Sequence, residues 1–147
     1  MKKTAFLFLV ILLSFSSFAQ LDAEKENIKH IIQTGYVDGL LNYGDIEPTR
    51  NSFHPDFYIS GLKDNHLTKY QLTEWIPRVE KARSEGKTPA MKFYVKFPII
   101  EITEKAAMVQ MDIFDKASDK QIFTDYLLLY KFDENWKIVQ KIYHRFP

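Results

Sequence analysis

The chain has 147 residues, of which 20 are basic and 19 acidic, and it contains no cysteine. This length suits one domain with its own core, and no internal repeat or low-complexity tract divides it. The balanced charge argues against nucleic-acid binding, which needs a concentrated basic face. Without cysteine no disulfide can form and no lipid can be attached through a thiol, so stability must come from packing.

The first residues indicate a targeting segment. Lys2 and Lys3 precede an apolar run over Phe6–Leu13, and Ser17–Ala19 puts small residues where a signal peptidase reads them. The run is shorter than the roughly 20 residues that cross a bilayer. We predict a signal peptide over residues 1–19 and a single mature domain over residues 20–147, exported to the periplasm or the medium without a membrane anchor. The alternative is an anchor that is not cleaved.

Helical patterns dominate the next part of the chain. Asp22–Tyr43 carries apolar residues at the three-four spacing of one helical face, and Gly35 and Gly39 lie on that face. Gly44 is a candidate C-terminal cap. Asp45 can then cap a second, short helix that ends near residue 52.

A third helix is predicted to end before Gly86. It could begin at Thr68, where Gln71 would complete a capping box. We favour a start at Thr73, because that start keeps Pro77 near the first turn, where proline costs least.

Strand-like patterns fill the remainder. Ile122–Phe132 is almost continuously apolar, which predicts a central strand covered on both faces. In the last strand, Gln140 and His144 share a face with Trp136 and Ile142. Helices followed by a long antiparallel meander indicate an α+β fold. The predicted strands are Phe57–Leu62, His66–Lys69, Lys92–Ile99, Ala107–Phe114, Ile122–Phe132 and Trp136–His144.

Several motifs, taken in order, carry a resemblance to a known superfamily. They are Tyr36–Leu40, Gly44-Asp45, Ser52–Asp56, Asp125–Leu129 and Trp136–His144. The chain resembles the nuclear-transport-factor-2-like (NTF2-like) superfamily, and within it the branch called putative lumazine-binding, over nearly the whole mature chain. The resemblance implies a cone-shaped α+β fold with three N-terminal helices packed on a strongly curved antiparallel sheet. It also implies a homodimer, commonly formed through the outer sheet face, with which Tyr130, Phe132 and Tyr143 are consistent.

The superfamily includes isomerases and dehydratases as well as binders without activity, and polar residues inside apolar patterns are the candidates for such chemistry. Asp112 and Asp125 lie within strands, where aromatic walls would disfavour the charged carboxylate and prepare a general base or acid. The alternative is that they face solvent or pair with lysines such as Lys96 or Lys141. His54 is either an acid or base at a pocket rim or the residue that fixes a turn.

The leading hypothesis is an exported pocket protein that binds a small, partly apolar organic molecule without turning it over. The alternatives are an isomerase-like or dehydratase-like enzyme with a pocket aspartate as general base, and a structural homodimer. No cofactor is expected, and the four histidines lack metal-ligand spacing. His144 would lie at the cavity mouth or at a subunit interface, depending on which strand face is inside. The predicted ligand-binding residues are Tyr36, Tyr58, Trp75, Tyr94, Gln110, Asp112, Tyr126 and His144.

Overall fold

The computed structural model describes residues 19–147. The predicted signal peptide therefore lies, except for Ala19, outside the described residues. Residues 19–31 are α-helical (α1), and they pass without a break into a π-helical segment (π1) over Ile32–Leu41. The predicted helix is thus present, and its second half is more loosely wound than the periodicity predicts. Within the described residues, no helix is long and apolar enough to cross a membrane.

The end of π1 is closed by backbone hydrogen bonds. The N–H of Asn42 donates to the carbonyl oxygen of Val37, five residues earlier, at 2.9 Å, and the N–H of Gly44 donates to that of Asp38 at 2.8 Å. A Cβ on Gly44 would lie 2.5 Å from the same Asp38 oxygen, so the close approach requires glycine. The residue in the left-handed region is Tyr43, with φ of 58°.

The two shorter helices lie close to their predicted positions. Helix α2 spans Glu47–Ser52, and its N-cap residue is Ile46, one residue after the predicted cap. The carboxylate of Asp45 nevertheless accepts the N–H of Glu47 at 3.2 Å. Helix α3 spans Leu72–Ser84, one residue before the favoured start at Thr73. Pro77 lies inside this helix, where it removes one backbone donor.

Six strands form one sheet in the order β2-β1-β6-β5-β4-β3. Neighbouring strands are antiparallel except β1 and β6, which are parallel, so the predicted wholly antiparallel sheet is wrong. A hairpin forces antiparallel pairing, but four strands and a helix separate β1 from β6 in sequence and leave their direction free. The strands are β1 (Phe53–Lys63), β2 (His66–Gln71), β3 (Phe93–Thr103), β4 (Ala106–Asp115), β5 (Gln121–Phe132) and β6 (Asn135–Arg145).

The helices pack on one face of the sheet, here called the inner face, and the opposite face is the outer face. In β5, Leu127 and Leu129 point inward and are buried, whereas Leu128 and Tyr130 point outward and are 43% and 54% exposed. The prediction that this strand is covered on both faces is therefore wrong. Its apolar outer positions lie bare because, in the described chain, the helices cover only one side.

A β-bulge in β6 changes which residues face inward. Ile138 pairs with Leu129 and Gln140 pairs with Leu128, so Val139 has no residue opposite it. Such an extra residue shifts the alternation of the strand by one position. Counted from Trp136, strict alternation would place Gln140 on the inner face. Because of the bulge, Gln140 lies on the outer face and Lys141 on the inner face.

The bulge corrects the predicted face of the last strand. Trp136 is buried on the inner face, but Ile142 is 50% exposed on the outer face, and Gln140 and His144 lie on that outer face as well. The prediction that these residues share a face with Trp136 is wrong. Lys141 takes the inner position in their place and is buried.

Candidate active or ligand-binding site

A cavity of about 340 Å³ lies between the inner face of the sheet and the helices. Its walls come from π1, α3, β1 and β2, and from the inner faces of β4, β5 and β6. Most of the wall is aromatic or aliphatic, which is the usual lining of a small-molecule site. The aromatic residues of the wall are Tyr36, Tyr70, Trp75, Phe123 and Tyr143.

Three side chains meet at the buried end of this cavity. The hydroxyl of Tyr36 donates to Oδ2 of Asp125 at 2.7 Å, and Nζ of Lys141 donates to the same oxygen at 2.7 Å. Nζ of Lys141 also donates to the phenolic oxygen of Tyr36. Asp125 is fully buried, and Tyr36 and Lys141 are nearly so. The three residues, here called the KYD cluster, form a closed triangle of hydrogen bonds.

Local backbone features place each member of the cluster. Tyr36 lies on π1, whose Gly35 allows α2 to approach so closely that any Cβ there would overlap Ser52. Thr49 of α2 holds this contact by donating from its hydroxyl to the carbonyl oxygen of Gly35 at 2.6 Å. Asp125 takes an inner position on β5, and the bulge in β6 turns Lys141 toward it.

Burial shapes the protonation of the cluster. Loss of water raises the pKa of Tyr36 well above its ordinary value, and the neighbouring charge of Asp125 raises it further. Burial lowers the pKa of Lys141, although the Asp125 carboxylate opposes this change. The phenol is therefore held neutral, and the ammonium of Lys141 gives up its proton more readily than a lysine in water.

Two buried polar atoms near the cavity have no hydrogen-bond partner among the described residues. They are Oδ1 of Asp125 and the hydroxyl of Tyr70. An unsatisfied buried polar atom costs about 1–3 kcal/mol. Tyr70 lines the cavity, and its hydroxyl oxygen is buried behind the cavity wall.

The charged side chains that line the cavity are both basic. Lys141 lies at the inner end, and Arg145 lies toward the mouth with its guanidinium 5.9 Å from the ring of Phe123. Among the described lining residues there is no acidic side chain. Because Lys141 is already paired with Asp125, the charge of Arg145 gives the mouth a net positive character.

Comparison with known proteins identifies the family. Residues 23–144 match the family model described as putative lumazine-binding. The chain belongs to this family. It is also similar to an NTF2-like protein of unknown function from Shewanella baltica OS155, with 25% identity and a TM-score of 0.65 over 85% of this chain and 95% of that one.

Two further matches extend the comparison. An NTF2-like protein of unknown function from Silicibacter pomeroyi DSS-3 shares 16% identity with a TM-score of 0.66, covering 86% of this chain and 98% of that one. The aldolase FrzH from Cladobotryum sp is 25% identical over 112 residues, which are 76% of this chain and 84% of that protein. The NTF2-like superfamily resemblance is thus confirmed.

Two of the predicted ligand-binding residues, Tyr36 and Trp75, line the cavity. Their ring centroids are 5.8 Å apart in an edge-to-face arrangement. Asp125, a candidate catalytic residue, lies behind Tyr36 and pairs with Lys141. Pairing with this lysine was one of the alternatives that the sequence left open.

The other predicted ligand-binding residues do not line the cavity. They occupy outer-face positions, because the alternation of β1, β3, β4 and β5 and the bulge in β6 give the inner positions to their neighbours. Asp112, for example, accepts the hydroxyl of Thr124 at 2.7 Å on the outer face. These residues are Tyr58, Tyr94, Gln110, Asp112, Tyr126 and His144.

His54 has a structural environment outside the cavity. Its ring stacks on Phe132 with centroids 4.9 Å apart, and its Nδ1 accepts the N–H of Asp56 at 3.2 Å. These contacts fix the start of β1. Among residues 19–147, no three histidine, aspartate or glutamate side chains gather as a metal site would require.

Sequence reasoning did not place Lys141, Tyr70, Tyr143 and Arg145 at the site. Tyr143 was predicted on the exposed face together with Tyr130 and Phe132, but it lines the cavity. Lys141 lies among mixed polar and apolar residues of β6, and strict alternation placed it on the face opposite Trp136. Only the position of the bulge could have reversed that assignment.

Proposed function

We propose that this chain is an exported pocket protein that binds a small, partly apolar organic molecule in the cavity between sheet and helices. The cavity, which ends at the KYD cluster, is the observation that carries the proposal. Its volume of about 340 Å³ lies in the range of about 300–1,000 Å³ found for small-molecule sites. The mostly apolar wall with a few converging polar groups is what such sites need for affinity and orientation.

The lining suggests how the ligand lies. Its flat or apolar body would pack against Trp75 and Phe123, and a polar end would reach the ammonium of Lys141. That ammonium has three hydrogens, and the KYD cluster uses two of them. A negative group of the ligand would be favoured near Arg145.

Native mass spectrometry of the protein purified from its own host tests this proposal. We expect a retained small molecule that is released on denaturation. Ile59→Trp should narrow the cavity and weaken retention, because Ile59 lines it. The matched control, Tyr58→Trp on the outer face of the same strand, should retain the molecule. A protein that retains nothing and binds nothing from a host metabolite extract would contradict the proposal.

A second candidate function is an enzyme that acts on a carbonyl compound through isomerase-like, dehydratase-like or aldol chemistry. The presence of a carboxylate, a phenol and an amine at one cavity end favours it, as does the similarity to the aldolase FrzH. The candidate base is Asp125. Turnover of the ligand identified by mass spectrometry, abolished by Asp125→Asn in a folded variant, would support this function. Binding of the ligand without turnover would contradict the enzyme function and support the function of a binding protein without activity.

Export and assembly complete the proposal. We infer cleavage after Ala19, a mature domain over residues 20–147 in the periplasm or the medium, and closure of the sheet and helices into a cone. The apolar outer-face residues support a homodimer formed with a second copy of the chain. The N-terminal sequence of the protein recovered from the periplasm and the medium tests the cleavage. Sedimentation velocity tests the dimer, and a monomer at all concentrations would contradict it.

A further inference from the structure

Lys141 combines three properties that a purely structural lysine does not need. Its side chain is 8% exposed, and that residual exposure faces the cavity, which it helps to line. Its Nζ lies 5.0 Å from the ring centroid of Tyr143, so the amine is surrounded by aromatic wall. It is also bonded to Asp125 and Tyr36, two groups able to carry a proton.

Resting on the pocket function proposed above, we propose that Lys141 is a nucleophile that forms a reversible imine with an aldehyde or ketone bound in the cavity. Lysine forms imines with carbonyl compounds when its amine is neutral, and a desolvated lysine in an apolar pocket reaches that state more readily than one in water. The cavity supplies the desolvation, and its open side admits the carbonyl compound.

The chemistry of the step balances within the KYD cluster. The ammonium of Lys141 gives one proton to Asp125, and the freed lone pair attacks the carbonyl carbon, so that a C–N bond forms and the C=O π bond breaks. The alkoxide takes the proton from Asp125 to give a carbinolamine. Asp125 then takes a second proton from nitrogen and delivers it to the hydroxyl, which leaves as water while the C=N bond forms. One ammonium and one carbonyl compound thus give one iminium and one water.

Two features of the cluster suit this step. Nζ of Lys141 already donates to Oδ2 of Asp125 at 2.7 Å, so the proton passes to the carboxylate along an existing hydrogen bond. The iminium retains the positive charge of the original ammonium beside the carboxylate. The buried cluster therefore stays electrically neutral before and after the step, which avoids the cost of an unpaired buried charge.

Reductive trapping tests the proposal. The purified mature protein is incubated with 4-hydroxybenzaldehyde and sodium cyanoborohydride, and the modified lysines are mapped by peptide mass spectrometry. We expect Lys141 to be labelled faster than exposed lysines such as Lys63, because the cavity that it lines holds the aldehyde beside its amine and burial lowers its pKa, which leaves more of the amine free. Lys141→Arg should lose this label, and the same-strand control Lys137→Arg should keep it.

A second measurement separates this proposal from the pocket function. Binding of 4-hydroxybenzyl alcohol, which cannot form an imine, is followed by the fluorescence of the tryptophans. If the alcohol binds and Lys141 is labelled no faster than Lys63, the imine proposal is overturned and the pocket function stands. If neither binding nor selective labelling occurs with this pair or with propanal and propanol, the imine proposal is overturned, and the pocket function is decided separately by the retention experiment described above.

Discussion

Similar residues on the inner and outer faces of the sheet differ in burial and in their charged partners. Asp125 and Asp112 lie on adjacent strands, and each accepts a hydroxyl at 2.7 Å. Asp125 faces inward, where it is fully buried and neutralised by Lys141, whereas Asp112 faces outward and bonds only to the neighbouring strand. Because alternate residues of a strand face opposite sides of the sheet, a shift of one residue is enough to move a carboxylate from the buried candidate site to the exposed face. The chemical groups are the same, and their desolvation differs.

The largest expected effect is the loss of the inner carboxylate. Asp125→Ala leaves the charge of Lys141 buried without its partner, and breaking a buried ion pair costs about 3–5 kcal/mol in the free energy of unfolding. Asp112→Ala removes one outer-face hydrogen bond and should cost about 1 kcal/mol. Urea unfolding of both variants measures the contrast. Equal losses would mean that the two faces do not differ in desolvation.

A smaller effect is expected for the inner phenol. Tyr36→Phe removes the hydroxyl that bridges Asp125 and Lys141. Leaving these buried partners under-satisfied should cost about 1–3 kcal/mol, whereas Tyr126→Phe on the outer face should stay within about 0.5 kcal/mol. Urea unfolding at neutral pH compares the two variants. A larger loss for the outer tyrosine would contradict the contrast between the faces.

The same tyrosine predicts a dependence on pH. The unfolded chain loses the phenolic proton near pH 10.0, but burial and Asp125 raise the pKa of Tyr36 in the folded chain well above this value. Above pH 10 the unfolded state therefore binds fewer protons than the folded state, and stability falls as the pH rises. This contribution approaches about 1.4 kcal/mol per pH unit.

Tyr36→Phe lacks this contribution, so the stability advantage of the wild type over the variant should shrink between pH 10 and pH 11. The titrating residues outside the KYD cluster are present in both proteins, and their contributions largely cancel in the difference. Denaturant unfolding at the two pH values provides the measurement. An advantage that grows with pH would show that the Tyr36 phenol is not held neutral by the fold.

The sequence predicted the elements of the fold more fully than the site. Helical periodicity and turn residues gave every helix and strand to within a few residues, because those signals are local. The site depends on two non-local facts, namely which face the helices cover and where β6 contains its bulge. The alternation of β4 identified two faces correctly but could not say which one is inside. The extra residue at Val139 leaves no compositional mark, so Lys141 was recognised only as a partner for Asp125.

The smallest expected effect on the stability of the folded subunit comes from substitutions on the outer face. They test whether this face forms an interface instead of a site. Leu128 is 43% exposed and Tyr130 is 54% exposed, so Leu128→Glu and Tyr130→Glu should change the stability of a monomer by no more than about 0.5 kcal/mol. A contiguous exposed apolar surface marks an interface, and a charge placed there opposes burial against a second copy. Sedimentation velocity should therefore show the wild type as a dimer and these variants as folded monomers. Unchanged dimers would assign the interface to another surface, and the outer face would then be bare in the assembly as well.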